Sequence, residues 1–208
     1  MNYSEYIYPI IEPDFFGNGV LAVNLFITSG HIAQKCQETL HILVDGKLIQ
    51  LPSPLICRYE EEETGFDLAV YKMEGYVSPI ILSDEMPTPG TTLESISWKE
   101  VRKARQSHSD SIFDSAYSTP EGDMEAPEIT ICNVEVTDII GNYFTGLSSI
   151  NLKGGCSGSP VFSNGKIAGI IAAGNNNGDD TCVRNDIPLN HCVFLSSQAI
   201  SQLIKSYI

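Results

Sequence analysis

Positive charge is what this sequence has least of. Against 26 Asp and Glu stand only 12 Lys and Arg, a formal net charge of −14 over 208 residues. A nucleic-acid surface needs a basic footprint to neutralise phosphates, and none is visible at this scale. The same acidity favours solubility and repels anionic membranes and polyanions. Nucleic acid and membrane are therefore not expected as partners. Long apolar runs are also missing, since no segment approaches the roughly 18 apolar residues of a membrane span. The opening MNYSEYIYPIIEPDFF lacks the basic start and unbroken apolar stretch of a secretory leader. A soluble, cytoplasmic protein is the expectation.

Cysteine motifs are absent as well. The six cysteines (Cys36, Cys57, Cys132, Cys156, Cys182 and Cys192) show no CxxC and no Cys/His pairing at zinc spacing. No metal and no cofactor are expected. In a reducing compartment such thiols behave as small buried hydrophobes. Cys182 and Cys192 are the first pair to check for a bridge. Alternation of strand and helix, the mark of a parallel α/β sheet, does not occur either.

What is present is a succession of short β-branched and aromatic runs: GVLAVNLFITSG, LHILVDGKLIQL, FDLAVYKM, TTLESISW, ITICNVEV and SPVFSNGKIAGIIAAG. Turn residues separate them, and DG at 45–46 and NG at 164–165 are strong hairpin signals. The pattern predicts an all-β protein, a sandwich or barrel. A hydrophobic content of 42% is ample for a core, and the length suits one domain of about 200 residues or two subdomains of about 100. One helix is legible, in SSQAISQLIKSYI, where Ser196 or Ser197 can cap and Ile200, Leu203, Ile204 and Ile208 share a face. The segment SDEMPTPG at 83–90 reads as a hinge. Residues 99–128 read as a long polar loop, with Lys99, Arg102, Lys103 and Arg105 at its start, able to dock on an acidic body that includes the EEEE run at 60–63.

The chemistry centres on KGGCSGSP at 153–160. Ser157 is either a nucleophile on a tight turn or part of a flexible Gly/Ser loop. Acyl transfer by serine needs a base, an acid that orients the base, and donors for the developing oxyanion. Glycines around Ser157 allow the N–H groups of Gly155 and Ser157 to converge. Four histidines could serve as base. His31 follows NLFITSG at a strand end, His41 sits in an apolar strand, His108 lies in the polar loop, and His191 precedes the last strand. Asp67 opens the apolar run DLAVYK, where a half-buried carboxylate needs a partner.

TSGH at 28–31, DLA at 67–69 and GCSGSP at 155–160 resemble, in this order, the His, Asp and Ser motifs of trypsin/chymotrypsin-like serine proteases, with GNGVL at 17–21 similar to the segment before that family's His strand. The resemblance covers the chain from about residue 15 to the C-terminal helix, apart from residues 99–128. It implies two packed six-stranded antiparallel β-barrels with a C-terminal helix over 196–208. Residues 1–86 would carry His31 and Asp67; residues 87–208 would carry Ser157 and the 99–128 loop. It implies His31 as general base and then acid, Asp67 as its orienter, Ser157 as nucleophile, and the N–H groups of Gly155 and Ser157 as oxyanion hole.

The same resemblance places the floor of the substrate pocket at Asn151 and its wall at Ala172, Ala173 and Gly174, with His191 within reach. A neutral Asn151 argues against a preference for Lys or Arg, although Asp179 and Asp180 could still attract one, and His191 would favour an acidic residue. Ala172 stands where the family has a serine that supports the triad acid. Cys156 stands where trypsin has an aspartate that pairs with a freshly cut N-terminus, so that route of activation is closed. The site is formed as synthesised, or controlled by a partner or a cover such as 99–128. Cys156 is the less favoured nucleophile, because the required following glycine belongs to Ser157. The expected function is a serine endopeptidase acting on a restricted set of protein or peptide substrates. A catalytically inactive binding or scaffold module and an esterase with the same triad are the competing readings.

Overall fold

The computed structural model describes residues 2–12, 15–36, 39–60, 65–99, 102–103, 123–124, 127–150, 152, 155–174, 188, 190–205 and 207. A 3₁₀ turn, Tyr3–Tyr6, leads into β1 (Ile7–Glu12), β2 (Phe15–Ala22) and β3 (Leu25–Thr28). A short helix α1 (Gly30–Lys35) follows, then β4 (His41–Val44), β5 (Lys47–Gln50), β6 (Ile56–Tyr59) and β7 (Asp67–Lys72). These strands form one antiparallel sheet in the order β5-β4-β1-β2-β3-β7-β6.

The second half begins with β8 (Thr92–Lys99) and a small ribbon of β9 (Arg102–Lys103) and β10 (Asp123–Met124). Then come β11 (Glu128–Ile140), β12 (Tyr143–Ser148), β13 (Pro160–Ser163), β14 (Lys166–Gly174), β15 (His191–Ser196) and the helix α2 (Ser197–Ile204). The order β11-β12-β15-β14-β13-β8 closes into a six-stranded barrel.

Three sequence expectations change here. Among the described residues the first half has seven strands rather than six, and their ladder runs from β5 to β6 without closing. Both end strands are four residues long and largely solvated, as suits sheet edges that must not recruit a neighbour. A second helix, α1, occupies the place read as a strand end before His31. The ends of the 99–128 segment are strand rather than loop, with Lys99 paired to Glu128 and β9 paired to β10. The middle of that segment, His108 and the proposed cover role lie outside the described residues.

The hairpin signals hold. Asp45 and Gly46 have φ of 50° and 75°, and Asn164 and Gly165 have 49° and 79°, the paired left-handed conformation of a two-residue hairpin turn. One buried cluster joins the halves: Val20, Ile27 and Leu68 pack with Ile96, Phe162, Ile167, Leu195 and Ile200. Helix α2 lays Ile200 and Ile204 into this cluster with Leu203 half-buried beside them, and Ser196 Oγ accepts the Ala199 N–H at 3.3 Å as its cap. The segment expected to be a hinge is tied down at its start, since Ser83 N–H donates to Ile167 O and Ser197 Oγ donates to Ser83 O.

Candidate active site

His31 sits in the first turn of α1, and the turn has an unusual cap. Ser29 occupies the N-cap position, but its side chain makes no capping bond. Asp67, the first residue of β7, supplies it instead: Oδ1 accepts the His31 N–H at 2.8 Å, and Oδ2 lies 2.7 Å from Nδ1 of the ring. One carboxylate thus satisfies an orphan helix donor and orients the imidazole. Asp67 is buried, and among the described residues both of its hydrogen bonds go to His31. Its support is therefore the histidine itself; Ala172, buried on β14, has no hydroxyl to add. The edge of the His31 ring meets Tyr59, with centroids 5.9 Å apart. Gly30 is obligatory here because a Cβ would lie 1.9 Å from Arg58 O.

Ser157 lies on the turn between residue 155 and β13. Gly155 and Gly158 have φ of 90° and 79°, a conformation that side chains rarely adopt. The turn is pressed against the first half. A Cβ on Gly158 would lie 2.0 Å from Asn18 O and 2.4 Å from Thr28 Oγ1, three residues before His31. Ser157 O accepts the Asn18 N–H at 2.9 Å. Ser29 Oγ, released from capping, donates to Ile171 O at 2.7 Å, the atom that also accepts the Gly158 N–H at 2.8 Å. The helix that bears His31 and the turn that bears Ser157 thus share an acceptor. Among the described residues no hydrogen bond joins the Ser157 hydroxyl to His31.

The remaining sequence-derived positions are distributed as follows. Ala172, Ala173 and Gly174 carry β14 beyond the start of β13, with Ala173 and Gly174 paired to Val193 and Cys192 of β15. His191 opens β15 opposite Leu147, and its carbonyl lies 3.5 Å from where a Gly174 Cβ would be. Asn151, Asp179, Asp180 and Cys182 lie outside the described residues. Cys156 packs with Leu152 against the barrel core. His41 is engaged by Glu12, whose Oε1 lies 3.3 Å from Nδ1 and accepts the His41 N–H at 2.7 Å. Among the described residues no disulfide forms, and no group of three His, Cys, Asp or Glu could hold a metal. Burial, and then the neighbouring thiols of Cys156 and Cys132, pushes the Cys192 thiol up to about 12. Burial together with Glu12 pushes Cys36 up to about 12 as well.

The sequence reading missed Asn18 and Ser29. Asn18 stood in the quoted GNGVL; a buried amide flanked by glycines inside an apolar strand must find partners, and that signal was available.

Comparison with protein-family models finds no match, and comparison with curated proteins finds none. Solved structures do match. A scabies mite inactivated protease paralogue superposes with TM-score 0.68 at 13% identity, covering 99% of this chain and 94% of that one. Neuropsin, a serine protease of mouse brain, gives 0.63 at 16%, covering 100% and 96%. The Rv3671c protease of M. tuberculosis, in an inactive form, gives 0.60 at 14%, covering 98% and 89%. The chain therefore has the chymotrypsin-like fold that these structures share.

Proposed function

We propose that the protein is a serine endopeptidase that works through an acyl-enzyme. The observation that carries the reading is the double hold of Asp67 on His31, beside a glycine-rich turn that bears a serine. With Nδ1–H donating to Asp67, the Nε2 lone pair is left to take the Ser157 proton. Ser157 Oγ then attacks the peptide carbonyl carbon, and the N–H groups of Gly155 and Ser157 receive the oxyanion. His31 returns the proton to the amine as the C–N bond breaks, and water releases the acyl group by the same steps. An extended peptide would lie along Ala172, Ala173 and Gly174, with Asn151 as pocket floor and His191 at the rim. The substrates are proposed to be a restricted set of proteins in the cytoplasm.

The second reading is a module that kept the fold and lost catalysis. It is favoured by the missing Ser157–His31 bond and by the inactivated paralogue among similar structures. Such bonds often tighten only when substrate arrives, so the endopeptidase reading stands as the better supported. Fluorophosphonate labelling of wild type and of Ser157→Ala, followed by cleavage of a proteome-derived peptide library, tests it. Labelled, cleaving wild type beside a silent variant supports an endopeptidase. Labelling with hydrolysis of esters alone would make the protein an esterase, and folded wild type that resists the reagent would make it an inactive module.

A further inference from the structure

Asn18 is a fully buried amide in a strand whose other residues are almost all apolar or glycine. A buried carboxamide costs free energy unless its donors and acceptor are matched. Here the partners of its side chain all come from the second half. Oδ1 accepts the Trp98 N–H at 2.7 Å. Nδ2 donates to Trp98 O at 3.0 Å and to Gly155 O at 2.7 Å. The main-chain N–H of Asn18 donates to Ser157 O at 2.9 Å. Its own carbonyl stays with the first half and accepts from Thr28 Oγ1 at 2.6 Å.

The amide can face only one way. Trp98 offers one obligate donor and one obligate acceptor, so a flipped carboxamide would set like against like. Held in this sense, Nδ2 is aimed at Gly155. Asn18 therefore grips the turn at both ends, by side chain at the Gly155 carbonyl and by main chain at the Ser157 carbonyl. Gly155, at φ of 90°, has no side chain to fix its flanking peptide planes, and hydrogen bonds must do so.

We infer that Asn18 is a positioning residue: it sets, from the first half, the backbone of the turn that aims the Gly155 and Ser157 N–H groups. This role rests on the acyl-transfer chemistry proposed above. Asn18 touches no substrate, and Trp98 is the clamp that keeps its amide in register.

Asn18→Asp is nearly isosteric and replaces the donor with an oxygen facing two carbonyls. On a peptide substrate kcat is expected to fall about 10- to 100-fold with KM within about threefold, since misaimed oxyanion donors act on the transition state. The ratio of variant to wild-type kcat is expected to rise as pH falls, because a protonated carboxyl regains one donor. Asn18→Ala, free of charge, is expected to lose a similar factor at every pH, with rates taken per folded molecule from near-UV circular dichroism. Wild type that a fluorophosphonate does not label brings down the acyl-transfer reading and this inference with it. Labelled wild type beside an Asn18→Ala variant of equal kcat, or a loss confined to KM, overturns this inference alone.

Discussion

Asp67 holds His31 at two points, the ring nitrogen Nδ1 at 2.7 Å and the main-chain N–H at 2.8 Å. The first bond selects the tautomer; the second fixes the helix that carries the ring. Asp67→Asn can keep the second, because the amide oxygen still accepts the main-chain N–H, while the amide N–H₂ leaves Nε2 as the protonated nitrogen. The expected outcome is a folded protein whose kcat drops by roughly 10⁴. Steady-state kinetics beside a thermal melt check it, and a loss under tenfold would contradict the assigned tautomer.

Gly158→Ala probes the press of the turn against the first half. A Cβ there meets Asn18 O at 2.0 Å in a residue at φ of 79°, and neither backbone can yield cheaply. Destabilisation of about 2–4 kcal/mol is expected, seen as a fall in Tm of at least about 4 °C together with loss of fluorophosphonate labelling.

Ser29→Ala removes one of the two donors on Ile171 O without orphaning the acceptor, which keeps the Gly158 N–H. The cost is expected to be only about 1 kcal/mol, a shift of about 2–4 °C in Tm. A much larger shift in calorimetry would mean that the hydroxyl holds more than this one bond.

The three motifs were legible because each is local: a few consecutive residues fix a turn, a helix start or a strand start. Helix α1 was not, because six residues give less than two turns of periodicity and its cap comes from Asp67, 36 positions away. The strand ICRY was hidden for a similar reason, being short, part-polar and at the sheet edge, whereas KLIQ was legible as the second arm of the hairpin at Asp45–Gly46. Asn18 announced a need for partners but not their identity; they lie 80 and 137 positions away, beyond any pattern in the sequence. Ala172, by contrast, was legible as a missing hydroxyl, and among the described residues the Asp67 carboxylate bonds only to His31.

Thiol ionisation gives a pH prediction. Cys36 and Cys192 are raised from 9.0 to about 12 in the folded protein, so burial favours their neutral forms. In the unfolded chain they ionise first, and the native state then binds more protons than the unfolded one. Their contribution to stability is complete below about pH 9 and is lost as pH climbs towards about 12. Thermal melts across this window are expected to show falling Tm, with a shallower slope in Cys36→Ala. Cys57, on the exposed edge strand β6, is expected to react with an alkylating reagent well before either of them.

Ser29 and the Ile171 carbonyl it binds are 142 positions apart. On a ribosome adding about 5–20 residues per second, the acceptor is made roughly 7–28 s after the donor. For the later part of that interval the growing chain already has His31 and Asp67 but lacks the carbonyl on which Ser29 and Gly158 converge. A chain cut short before β14 cannot tie α1 to the turn that bears Ser157, so translation itself sets the order in which the two are joined.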